Sequence, residues 1–111
     1  KMSWIIPYDK PVIISEMGGG AVAGYHGDKN TLWTEEYQEE LYRKQVKMFD
    51  RIEGLAGTTP WILKDFLSPR RTLYGTQDWY NRKGLYSDQG IKKKAFWILK
   101  DWYAKKAKEY K

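Results

Sequence analysis

One stretch constrains this chain more than any other: KPVIISEMGGGAVAGY, from Lys10 to Tyr25. Val12-Ile13-Ile14 is a β-branched run between Pro11 and the triplet Gly18-Gly19-Gly20. That pattern predicts a buried strand of a parallel sheet over residues 12–16. Glu16 then stands where the strand stops. Parallel α/β folds collect their ligands at the carboxyl ends of strands. Glycines just beyond let the backbone turn sharply and approach a ligand. Three readings fit these residues. A strand-end Glu can make a surface ion pair. Gly18-x-Gly20-x-x-Ala23 has the spacing of a dinucleotide loop, but the last small residue of that fingerprint must open a helix. Here Gly24-Tyr25-His26-Gly27-Asp28 follows, which reads as loop, and no Gly-Lys-Ser/Thr is present. The third reading is a catalytic carboxylate.

The next segments set the fold class. Residues 17–33 read as loop. Thr34 is a helix N-cap with Glu35 and Glu36 in the first turn. Tyr37, Leu41, Met48 and Ile52 share one arc of the helical wheel, and Tyr42, Val46 and Phe49 widen it beyond the stripe of a surface helix. Such a helix packs on a sheet and touches neighbours too. After Gly54, residues 57–63 read as a second strand, with Pro60 near its end or at a bulge, since Pro donates no ladder bond. Strand–helix–strand at this spacing fits a right-handed crossover between parallel strands.

Residues 64–90 show no periodicity, and connections this long are functional or disordered. Their interleaved Arg and aromatic residues favour order. A last helix is expected from about Ile91 to Ala107. Its seam is Ile91, Ala95, Leu99 and Trp102, with Phe96 and Tyr103 beside it and Trp97 on the opposite face. Residues 1–9 lack periodicity, with Trp4, Ile5 and Ile6 as packing residues. The chain therefore reads as α/β, two βα units in a single unit 1–111, without repeat or linker.

Composition narrows the function. The 111 residues are 41% hydrophobic and 16% aromatic, a folding composition. Six Trp and nine Tyr suit sugar stacking, or a large core or buried interface. The absence of Cys excludes disulfides and thiolate metal sites. No apolar run approaches the ~20 residues of a membrane span. No signal peptide is visible and the chain opens at Lys1, so a piece of a longer protein would have its N-terminus elsewhere, and no compartment is assigned. A net charge of +6 raises the question of nucleic acid. Its distribution argues against that partner: Lys92-Lys93-Lys94, and Lys105, Lys106 and Lys108, fall on the last helix, where Lys is expected to be solvated. The later ones suit the negative end of the helix dipole.

Four motifs in order, KPVIISEMGGGAVAGYHGD, WTEEYQEELYRKQVKMFDRI, NRKGLYS and KKKAFWILKDWY, resemble the end of the catalytic barrel in glycoside hydrolase family 2. The likeness is nearest to the β-glucuronidases, with β-galactosidases as relatives, and runs from about Lys10 to Tyr103. It implies the C-terminal quarter of a (β/α)8 TIM barrel, strands seven and eight with their helices. It implies retaining hydrolysis of a β-glycoside, with no cofactor and no metal.

By this resemblance Glu16 is the nucleophile, and Trp61 is the wall of the sugar site, followed by a cis peptide to Ile62. The family often has Asn where this chain has Ile62. Asn81 and Lys83 match an Asn-x-Lys motif that holds the substrate carboxylate, an amide and an ammonium gripping one acid. Tyr25 and His26 match an aromatic–His loop near the nucleophile; Arg70 and Arg71 are assigned to the acidic subsite by position only. The acid/base of the family follows an Asn, yet no Asn-Glu dipeptide occurs here. The implied partners are a β-glucuronide or β-galactoside and the remainder of the barrel, or other copies of the chain, since open strand edges invite association. A non-catalytic carbohydrate-binding or assembly fragment is the alternative class.

Overall fold

The computed structural model describes residues 4–109, so the first three residues of the aperiodic stretch 1–9 lie outside the described residues. The elements are β1 (Val12–Ile14), α1 (Glu35–Phe49), β2 (Leu55–Thr58), β3 (Phe66–Leu67), β4 (Tyr80–Asn81) and α2 (Lys94–Glu109). β1 and β2 pair in parallel, Ile13 opposite Gly57 and Ile14 opposite Thr58. Both strands differ from the expected bounds. β1 ends at Ile14, and β2 lies earlier than 57–63, stopping before Pro60, which has no N–H for a ladder.

Pairing nonetheless continues beyond the regular strands as single hydrogen bonds. Thr59 N donates to Ile14 O at 3.0 Å and Trp61 N to Met17 O at 2.8 Å. A third strip joins alongside: Ile62 N donates to Lys83 O at 3.1 Å, Tyr86 N to Leu63 O at 2.8 Å and Asp65 N to Tyr86 O at 3.0 Å. The aperiodic segment 64–90 thus carries structure the periodicity did not show. Its β3 and β4 pair antiparallel, Phe66 opposite Asn81. Strands of two residues are too short to print a period of two on the sequence.

Thr34 caps α1 as expected, its Oγ1 accepting from Tyr37 N at 3.0 Å. The buried face of α1 lies on the Tyr42, Val46 and Phe49 side of the expected arc and takes in two polar residues that the arc left out. Glu35, Gln38, Tyr42, Val46 and Phe49 are buried, whereas Tyr37, Leu41 and Met48 are only half-buried. The cause is polar: Gln38 Nε2 donates to Gly19 O at 2.8 Å and to Gly84 O at 3.1 Å. Two loop carbonyls draw a Gln inward, which a hydrophobic wheel does not register.

α2 begins at Lys94, later than the expected Ile91, and Ile91 is exposed instead of in the seam. Ser87 explains the delay. Its Oγ accepts from Ile91 N at 3.0 Å while Ser87 N donates to Ile91 O at 2.8 Å, closing a turn that competes with helix. Ala95 and Leu99 are buried as predicted. Trp97 is 46% exposed, with Lys92 and Lys100 over its ring. Lys93 departs from expectation: it precedes α2 and is fully buried, where the Lys run was read as solvated. The core comprises Met17, Tyr42, Val46, Phe49, Ile52, Leu85, Ala95 and Leu99, so it takes in Met17 and Leu85 from the strips and joins them to both helices.

Candidate active site

The three strips bring distant residues into one row. Met17 bonds Trp61, and Ile62 bonds Lys83, so Glu16, Trp61 and Lys83 lie at neighbouring register positions. Together with Met17, Gly18 and Gln45 they line an open hollow of about 220 Å³. Glu16 is exposed, and its carboxylate has no hydrogen bond or ion pair within the described residues. The Trp61–Ile62 peptide is cis. The Trp61 indole is 38% exposed and meets Phe66 edge-on at 6.1 Å. Behind Glu16 the chain turns at Gly18, whose φ of +119° favours glycine. A Cβ there would also press on the Tyr42 hydroxyl.

Lys83 forms the wall between this hollow and a second one of about 150 Å³, where Trp33, Tyr37, Arg71, Asn81 and Arg82 also face in. Asn81 is buried, and its Oδ1 accepts from Lys83 N at 3.0 Å. The carbonyl half of that amide is therefore occupied, and the NH2 half is what a ligand would meet. Arg71 reaches the second hollow; Arg70 is exposed and lines neither.

Tyr25 and His26 also lie outside both hollows. His26 Nδ1 sits 2.9 Å from Glu36 Oε2, on the first turn of α1. Burial works to raise the Glu36 carboxyl, but the Gly27 N–H at 3.0 Å, His26 and the Lys94 ammonium at 3.1 Å hold it down at about 2. Its neighbour Glu35 is buried, accepting from Gly24 N at 2.7 Å and from Lys94 N at 2.8 Å. These carboxylates pin the 24–27 loop to the start of both helices.

Sequence reasoning missed a buried ion pair beneath the loops. Lys93 Nζ lies 2.9 Å from Asp65 Oδ1, both groups wholly withdrawn from solvent. The same ammonium donates to Ala21 O at 2.7 Å and Arg82 O at 3.0 Å. Asp65 Oδ1 also accepts from Gly84 N at 2.8 Å, and Arg82 stands 3.8 Å from Oδ2. Burial pushes the Asp65 carboxyl up and the Lys93 ammonium down, each against the pull of the other. Only the run of three Lys hinted at Lys93, and nothing in that run distinguishes its middle member. Gln45, which also lines the hollow, was not singled out from the sequence.

Similarity to known proteins bears on what this arrangement does. No protein-family model matches the chain. It is 36% identical over 98 residues to a β-glucuronidase of Paenibacillus borealis, covering 88% of this chain. It is 35% identical over 112 residues to the human β-glucuronidase, covering 96% of this chain. The chain spans about one sixth (16%) of the length of these relatives. Among solved structures it superposes on a glycoside hydrolase family 2 β-galacturonidase of Eisenbergiella tayi bound to galacturonate, with a TM-score of 0.77, 29% identity and coverage of 86% of this chain and 17% of that one. It superposes on the β-glucuronidase of Dictyoglomus thermophilum with a TM-score of 0.71, 32% identity and coverage of 85% of this chain and 16% of that one.

Proposed function

We propose that this chain, a member of glycoside hydrolase family 2 by sequence and fold, supplies the nucleophile and the acid-binding side of a retaining β-glycosidase, with a β-glucuronide as substrate. In this reading residues 1–111 form one partial domain. β1 and β2 are strands seven and eight of a (β/α)8 barrel, followed by α1 and α2. The parallel pairing across α1 supports the assignment, as do Ile13 and Leu63, which are bare here and would face the barrel interior. The rest of the barrel is then the chain's partner. It supplies the acid/base, which this sequence lacks, so the segment is inactive alone.

The observation that carries the reading is the single hollow shared by Glu16, Trp61 and Lys83. Glu16 attacks the anomeric carbon and forms a glycosyl ester, which water then releases. The acid/base, ~5–5.5 Å away, protonates the leaving oxygen. The indole of Trp61 walls the ring. Lys83 and the Asn81 NH2 receive the sugar carboxylate through charge-assisted hydrogen bonds. Tyr25 and His26 then act at a remove, by ordering the loop that follows the nucleophile. A neutral β-galactoside would leave the ammonium without its acid, a poor use of a charged group in a specificity site.

A β-galacturonide is the second reading, since a β-galacturonidase bound to galacturonate shares this backbone as the β-glucuronidases do, with TM-scores of 0.77 and 0.71. The two sugars present the same carboxylate and differ in one hydroxyl. The test uses the full-length enzyme carrying this segment. Glu16→Gln should abolish turnover of an aryl β-glucuronide and abolish covalent trapping by a 2-fluoro-glucuronide, with the wild-type label found on the peptide containing Glu16. A label on any other carboxylate would overturn the assignment, and comparing aryl glucuronide with aryl galacturonide decides the sugar.

A further inference from the structure

We infer that the buried Lys93–Asp65 pair is a positioning device for Lys83, and that it sets the preference for an acidic sugar over a neutral one. The inference rests on Lys83 being the residue that receives the sugar carboxylate.

The Lys93 ammonium has three N–H donors, and all three are engaged: Ala21 O at 2.7 Å, Asp65 Oδ1 at 2.9 Å and Arg82 O at 3.0 Å. Asp65 Oδ1 in turn accepts from Gly84 N at 2.8 Å. The residue before Lys83 is therefore held by one member of the pair and the residue after it by the other. Ala21, on the loop that leaves Glu16, is held by the same ammonium, and Ala21 N closes the brace by donating to Arg82 O at 3.0 Å. There is no slack at Gly84: a Cβ there would collide with Asp65 N and Tyr86 O. Lys83, in the middle of this clamp, is exposed and free of ion pairs within the described residues.

Stability does not account for burying these charges. A buried pair replaced by well-packed apolar groups is often neutral or stabilising. What apolar groups cannot supply is directed bonds to Ala21, Arg82 and Gly84 at once. Those bonds hold the residues on either side of Lys83, whose own N–H and C=O are held by Asn81 Oδ1 and Ile62 N, so the pair completes the frame from which the Lys83 side chain leaves the backbone. Glu16 itself is held by a different contact, Met17 O to Trp61 N, which Lys93 does not touch. The brace touches both neighbours of Lys83 but reaches Glu16 only through Ala21, so loosening it should shift Lys83 more than the nucleophile.

The experiment measures kcat/KM of the full-length enzyme on an aryl β-glucuronide and the matching aryl β-galactoside. Wild type, Lys83→Ala and Lys93→Met are compared, with circular dichroism to verify folding. Misplacing a binding group by about 1 Å costs on the order of 100-fold, so Lys93→Met should lose about that factor on the glucuronide and far less on the galactoside. Equal losses on both substrates would reduce the pair to a structural role and overturn the inference. Should Lys93→Met not fold, Lys93→Gln is judged by the same ratio, because its amide keeps a polar head but has two N–H donors for the three acceptors that Lys93 holds. If Lys83→Ala leaves the preference intact, the carboxylate-binding role of Lys83 fails and this inference falls with it. If Lys83→Ala removes the preference and the folded brace variant keeps it, this inference alone falls.

Discussion

Lys93→Met also makes a stability prediction with a particular pH signature. The substitution keeps much of the side-chain volume and deletes the ammonium. Asp65 would then be left buried, with Gly84 N on Oδ1 and the Arg82 guanidinium at 3.8 Å from Oδ2. Removing one partner of a buried pair costs about 3–5 kcal/mol. The carbonyl of Ala21 also loses the donor it has in Lys93 Nζ, a further penalty of about 1–3 kcal/mol if it stays dry. The carboxyl can escape the first cost by taking a proton. Its pKa is already raised in the native chain by burial, and without Lys93 that rise grows.

A carboxyl with a raised native pKa gives stability that is fully present below the unfolded value near 4, and that is lost as pH climbs towards the folded value. The variant should therefore recover stability on acidification from neutrality towards pH 5, at up to about 1.4 kcal/mol per pH unit. The remaining deficit is the part due to the Ala21 carbonyl. The assay is thermal unfolding of wild type and variant in parallel from pH 5 to 8, reading the difference in midpoint. A difference that stays flat, or widens as pH falls, would refute the reasoning: it would mean that Asp65 keeps its charge without Lys93.

Three other substitutions test separate contacts. Gly84→Ala drives a methyl into Asp65 N and Tyr86 O; backbone cannot yield as a flexible side chain would, so a loss at the upper end of about 1–3 kcal/mol is expected in thermal or urea unfolding, and an unchanged midpoint would contradict the close approach. Glu36→Gln removes a carboxyl held at about 2; its stabilisation is present above the model-peptide value of 4.5 and is lost as pH falls through 2, so acid unfolding of wild type and variant should converge at the acid end and separate above pH 4. Tyr42→Phe deletes a buried hydroxyl that has no hydrogen-bond partner, and should be neutral or stabilising; a clear loss of midpoint would reveal a bond that this hydroxyl makes.

Much of the fold was legible in the residues themselves. The β-branched run 12–14, the Thr34 cap and the second strand led to a parallel pair crossed by a helix, because strand and helix periods and caps are local properties. The likeness to glycoside hydrolase family 2 was also legible, since motifs in fixed order survive in the sequence. Strand ends, the start of α2 and the buried face of α1 were not. The strand ends and the buried face of α1 were set by hydrogen bonds between residues far apart in the chain, Gln38 to Gly19 and Gly84, Trp61 to Met17, Ile62 to Lys83, and the start of α2 by the side-chain turn of Ser87 on Ile91, which carries no hydrophobic period.

Lys93 shows the limit most clearly. In a run of three lysines each is equally soluble on paper. Only when Asp65, Ala21 and Arg82 converge can one of them be buried, because a charge leaves water only where fixed partners replace its hydration. The sequence alone determined that a carboxylate would stand between a short β-branched strand and three glycines, though not that the strand stops at Ile14. Which groups stand beside it, Trp61 and Lys83 in one hollow, was decided by the tertiary pairing of the strips, since register across non-adjacent segments is a property of contacts and not of composition.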